Sequence, residues 1–184
     1  MKFSTAEERD SWWAVTSLHE SAHGMVAFAL DCHPVELVLN RRMTPGQSAA
    51  GSCGAPYEQT CYGLFSKIFV QNAPFVAHQI ECLPCGEKGD LHERSDAYTE
   101  FCELTGHKLH SLFFDYVDAP LLAFFEHGEI QAAVLSLATK LYKTNRVSMK
   151  QVNYWRGQLN VSPEPCKVLQ RSVLALAQAL ADSQ

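Results

Sequence analysis

The chain has no hydrophobic stretch long enough to cross a bilayer. Its longest apolar run, Met25 to Leu30, is six residues, against the roughly 20 that a spanning helix needs. A secretory leader is also missing, because Met1-Lys2-Phe3-Ser4 leads into acidic residues rather than an apolar segment. These two absences predict a cytoplasmic protein with no membrane partner. Basic charge is scarce as well: the net charge is −5, with no clustered Lys/Arg stripe. Phosphate-backbone affinity is largely electrostatic, so nucleic acid is excluded as an expected partner. Internal repeats, low-complexity tracts and Ser/Gly-rich or charge-run linkers are all lacking. With 184 residues of which 47% are hydrophobic, the chain is long enough to bury one good core, and residues 1–184 are expected to form a single domain.

What is present begins with His19-Glu20-Ser21-Ala22-His23, an H-E-x-x-H spacing. Residues four apart stack on one face of a helix, so two imidazoles can hold one ion together, with Glu20 beside them to take a proton from water. With 8 His and 13 Glu in the chain, chance supplies about 0.02 such motifs, which makes coincidence a poor explanation. The motif also needs a helix. Trp13, Leu18, Ala22, Met25, Val26 and Ala29 recur at helical intervals, Thr5 before Ala6-Glu7-Glu8 is a good N-cap, and Asp31 to Pro34 ends the segment.

Zinc needs a third protein ligand and an open position for water. The metzincin extension, a histidine six residues after the second motif His, is absent because Ala29 stands there. The ligand must therefore come from a distant element. Asp96, Asp90 and His92 are the candidates, all in polar segments that suit the opening of a helix. Seven cysteines form an odd set without a leader, which speaks against a disulfide framework, and most read as small buried hydrophobes. Cys82-Leu83-Pro84-Cys85 has chelating spacing, but a second ligand pair is missing and Pro84-Cys85-Gly86 does not suit the helix start of a redox motif. Two cysteines in a loop is the simpler interpretation, with a metal or thiol module as the alternative.

The rest of the chain reads as mostly helical. Val35 to Asn40 alternates as a strand, Thr44 to Pro56 reads as loop with an edge strand near Ser52-Cys53-Gly54, and Tyr62 to Glu81 reads as a helix bent or interrupted at Pro74. A third helix is expected from Ser95-Asp96, closing near Gly106 ahead of a segment from Leu109 to Tyr116. Ile130–Tyr142, Val147–Tyr154 and Ser172–Ala181 complete the set of helices.

The run Leu18 to Leu30 carries the motif. It is followed by a strand starting at Pro34-Val35, a glycine-containing edge segment from Gly51 to Tyr57, a further helix, and a Ser-Asp or Gly-Asp helix start. In that order the elements resemble the peptidase domain of the FtsH-type zinc metallopeptidases. The late segment from Ile130 to Val152 also resembles the closing helices of short members. The likeness spans roughly residues 10 to 155 and is specific only at the motif. Two departures stand out: Ser21-Ala22 replaces the usual Ala-Gly, and Val76-Ala77-His78-Gln79 replaces an Ala-Glu-Glu pattern.

The resemblance implies zinc held by His19, His23 and a downstream aspartate, with Glu20 as the base that activates water. Asp96 is favoured for the aspartate, because a Ser-Asp opening followed by Phe101 and Leu104 is similar to the family's ligand helix. The expected fold is α+β and mainly α, a compact zincin-like helical domain with a small sheet. The expected activity is ATP-independent peptidase action on unfolded or flexible protein segments, since no ATPase module or anchor precedes residue 19. The alternative is a non-catalytic binding or regulatory protein on a peptidase-like scaffold.

Overall fold

A computed structural model describes residues 5–33, 35–41, 51–81, 87–150 and 152–182. The first helix, α1 (Ala6–Ala29), starts where the sequence predicts: the Thr5 hydroxyl accepts the Glu8 amide at 3.0 Å, and Glu7 and Glu8 complement the helix dipole in the first turn. It ends in a tight reversal. Asp31 takes a left-handed φ of 58°, and the Cys32 amide returns to the Ala27 carbonyl at 2.9 Å. The half of α1 that carries the motif is buried nearly all round, from Glu20 to Ala29, as in a helix that forms the centre of a core.

Three short antiparallel strands lie beside it: β1 (Val35–Leu39), β2 (Gly51–Gly54) and β3 (Arg146–Met149), in the order β2-β1-β3. Leu37 pairs with Cys53 on one side and with Val147 on the other. Val35, Leu37 and Leu39 are buried while Glu36 and Val38 are only half-buried, the alternation of a one-sided sheet. α1 approaches β1 closely at Gly24, where a Cβ would stand 2.8 Å from a Leu37 methyl. β3 corrects the expectation of a helix from Val147 to Tyr154. Pairing with β1 claims Arg146–Met149, and the helix there, α7 (Val152–Leu159), begins only afterwards.

The other elements are α2 (Cys61–Ala77), α3 (Glu87–Thr105), α4 (His110–Phe113), a π-helical turn (Phe114–Asp118), α5 (Ala119–Phe125), α6 (Gly128–Thr144) and α8 (Pro163–Ala181). Gly106 closes α3 with a φ of 71°, a conformation glycine adopts without strain. Two helix starts differ from the sequence reading. α8 opens at Pro163 rather than Ser172, with proline in its first turn. α3 opens eight residues before Ser95, and this difference decides which carboxylate meets the histidines of α1. Gln170 of α8 donates to the Ala29 carbonyl at 2.7 Å, satisfying one of the open carbonyls at the end of α1. One hydrophobic cluster runs from Trp13 through Phe28, Leu37, Phe69, Phe101, Phe125 and Leu137 to Val173. The result is α+β and mainly helical. Among the described residues, no single helix is long and apolar enough to cross a membrane.

Candidate metal centre

His19 and His23 stand one turn apart on α1, and their Nε2 atoms lie 3.2 Å from each other. Glu93 of α3 reaches across to both. Its Oε2 is 3.0 Å from His19 Nε2 and 3.1 Å from His23 Nε2. Two imidazole nitrogens and a carboxylate oxygen facing one another so closely need a cation between them, either protons or a metal. Tetrahedral bonds of roughly 2.0–2.1 Å hold ligand atoms about 3.3 Å apart, so the spacing and the donor types both fit an ion such as zinc. His19, His23 and Glu93 therefore form a group that could hold a metal ion. Burial alone would raise the Glu93 carboxyl, but hydrogen bonds and charge attraction from the two histidines outweigh it and hold the group well below the usual carboxylate range.

The carboxylate that joins the two histidines is not the one the sequence favours. Asp96 sits on the exposed side of α3, with its side chain 56% accessible and its nearest ionic partner His92 at 3.9 Å. Neither of these residues joins the cluster. Because α3 begins at Glu87, Glu93 is already helical and falls on the stripe of Ala97, Phe101 and Leu104 at +4, +8 and +11. Asp96 turns to solvent with Glu103, while Glu100, at +7 from Glu93, faces α2 and pairs with Lys67. An acid heading the stripe of Ala97, Phe101 and Leu104 is the available signal, and reading Ser95-Asp96 as the helix start hides it. The side chain of Asp90, in the first turn of α3, lies outside the described residues, as do Cys82 and Cys85. The other five cysteines are free.

Glu20 is 5% exposed and lies against β2. A Cβ at Gly51 would stand 2.5 Å from Glu20 Oε1 and 2.6 Å from its Cγ, so only glycine lets the strand lie against this carboxylate. Burial pushes the Glu20 carboxyl up, while His23 and His19 pull it partly back. Ser21 and Ala22, the two motif positions between Glu20 and His23, are completely buried, which leaves room only for small side chains.

Packing of α2 against α3 supplies the support. The Val70 carbonyl accepts from His23 Nδ1 at 2.6 Å. Next to Glu93, Arg94 forks onto Asp118 of the π-helical turn with two contacts of 2.7 Å, and Asn72 of α2 donates to the same carboxylate at 2.7 Å. The Arg94 guanidinium also lies 4.0 Å from the Phe75 ring centre, a cation–π contact. The fold and site together define a helix-dominated α+β protein with a two-histidine, one-carboxylate cluster beside a buried glutamate. No family model, curated protein or solved structure matches the chain.

Proposed function

We propose that the chain is a zinc-dependent peptidase whose metal is held by His19, His23 and Glu93 and whose general base is Glu20. The observation that carries this reading is the buried Glu20 carboxylate next to a His–His–Glu donor set on one helix pair. A zinc ion in that set supplies Lewis acidity, lowering the pKa of water and polarising a carbonyl. Glu20, its basicity raised by burial, takes the proton from the attacking water and returns it to the leaving amine. The resemblance to FtsH-type metallopeptidases supports the same roles for His19, Glu20 and His23.

The substrate is an extended stretch of polypeptide. Among the described residues, β2 pairs with β1 along one edge only, and it presents small residues, Gly51-Ser52-Cys53-Gly54, next to Glu20. A peptide strand added at the open edge gains backbone hydrogen bonds and brings its carbonyls toward the base. Unfolded or flexible segments meet this requirement and folded ones do not.

Glu20→Gln tests the proposal. It keeps the shape of the side chain, so fold and zinc content should be retained while cleavage of unstructured polypeptides drops by at least 100-fold, the lower bound for losing a positioned base. The measurement is product mapping by mass spectrometry with zinc-loaded wild type and variant. Zinc binding without cleavage of any of a varied set of polypeptides would favour the non-catalytic scaffold instead. Equal cleavage by both proteins would remove Glu20 from the chemistry.

A further inference from the structure

We propose that Pro74 is a positioning residue for His23: it leaves the Val70 carbonyl outside the helical ladder, free to take the His23 Nδ1 proton. This rests on the reading of His23 as a metal ligand. Pro74 lies inside α2, buried, with three more helical residues after it. A proline there is unfavourable, since it has no N–H to give to the carbonyl four residues earlier and its ring pushes that carbonyl off the helix axis. The carbonyl four residues earlier is that of Val70. It is the one that receives His23 Nδ1, at 2.6 Å and across 47 positions of sequence. Beyond Pro74 the ladder resumes, with the His78 amide returning to the Pro74 carbonyl at 2.8 Å. The proline thus opens one acceptor without ending the helix.

The chemistry follows from what each atom can do. A carbonyl oxygen only accepts, so Nδ1 must carry the hydrogen. Nε2 is then the ligating nitrogen of a neutral ring, and it faces His19 Nε2 at 3.2 Å and Glu93 Oε2 at 3.1 Å. An acceptor on the far nitrogen fixes the tautomer and the ring orientation and makes the near nitrogen a better donor to a metal. With alanine at 74, the restored N–H would draw the Val70 carbonyl back into the ladder and away from His23.

Pro74→Ala tests this, because positioning and structural roles predict opposite outcomes. Removing an interior proline favours a helix, so the metal-free variant should match or exceed wild type in chemical unfolding. Zinc affinity, measured by competition with a chromophoric chelator, should nevertheless fall by roughly tenfold, the usual lower bound for losing the outer partner of a metal-bound histidine. In the metal-free wild type, NMR should show a slowly exchanging His23 Nδ1 proton, which Pro74→Ala should bring into fast exchange. A folded variant with unchanged affinity and an unchanged Nδ1 proton would overturn the proposal. So would a wild type without a protected Nδ1 proton, a result that needs no variant. A wild type that binds no zinc through His19 and His23 would instead overturn the metal reading, and the Nδ1 proton would still decide the Val70 contact by itself.

Discussion

Two carboxylates three residues apart show how finely a helix sorts side chains. Glu93 and Asp96 differ by less than one turn, yet Glu93 meets both histidines while Asp96 is more than half exposed and pairs only loosely with His92. Removing a ligand and removing a surface acid are therefore expected to behave differently. Glu93→Gln should lower zinc content well below one equivalent in protein purified without added metal. Asp96→Ala should retain the full equivalent and change stability by no more than about 0.5 kcal/mol, as exposed sites usually do. Elemental analysis checks both, and zinc loss in Asp96→Ala with retention in Glu93→Gln would restore the assignment favoured by sequence. Asp96 was the better candidate only while Ser95 was read as an N-cap. With eight helical residues before it, Ser95 caps nothing, and the polar pair is simply part of the solvent face.

α3 delivers Glu93 to α1, and what holds α3 is a network that local sequence does not reveal. Arg94 spans from α3 to Asp118 and Asn72, and the π-helical turn at Phe114–Asp118 is the element that brings Asp118 to it. Asp118 is 4% exposed. Truncating its partner would leave a buried charge unpaired, a change that typically costs about 3–5 kcal/mol. Arg94→Met should therefore be strongly destabilising in urea unfolding. Arg94→Met combined with Asp118→Leu should recover much of the loss, because the stranded charge goes with its partner. A single variant as stable as wild type would show that the network contributes little to docking α3.

For the whole molecule, two of the five described cysteines, Cys32 and Cys166, are the buried hydrophobes that the sequence predicts, whereas Cys53 and Cys102 are half-buried and Cys61 is exposed; the buried pair has a consequence for alkaline stability. Burial, with the Asp31 charge adding to it, pushes the Cys32 thiol up to about 11. Burial also raises Cys166 to about 11, although Arg156 pulls it partly back. A thiol raised in the fold contributes stability below its unfolded pKa, about 8.5, and that contribution is lost as pH climbs through the folded value. Metal-free protein should therefore lose stability between roughly pH 8.5 and 11, and Cys32→Ala/Cys166→Ala should flatten that decline while lowering stability at pH 7 through lost packing. Urea unfolding across this range is the check. An alkaline decline of the same steepness in the double variant would assign it to other groups, such as Tyr62, which is also raised, to about 12.

The motif helix, its Thr5 cap, its stop at Asp31, the first strand, the helix-dominated class and the roles proposed for His19, His23 and Glu20 were all legible in the sequence. Each depends on interactions within a few residues, and periodicity and capping chemistry report those directly. The carboxylate beside the two histidines, the β3 strand, the π-helical turn and the contact that the Val70 carbonyl makes were decided only in three dimensions. Glu93 meets the histidines because α2 and α3 pack side by side, and β3 exists because β1 offers Arg146–Met149 an edge some 110 residues away. Pro74 is visible in the sequence, where it signals a weak point in a helix. What it does for His23 depends on a contact between residues 47 positions apart, which no local pattern encodes.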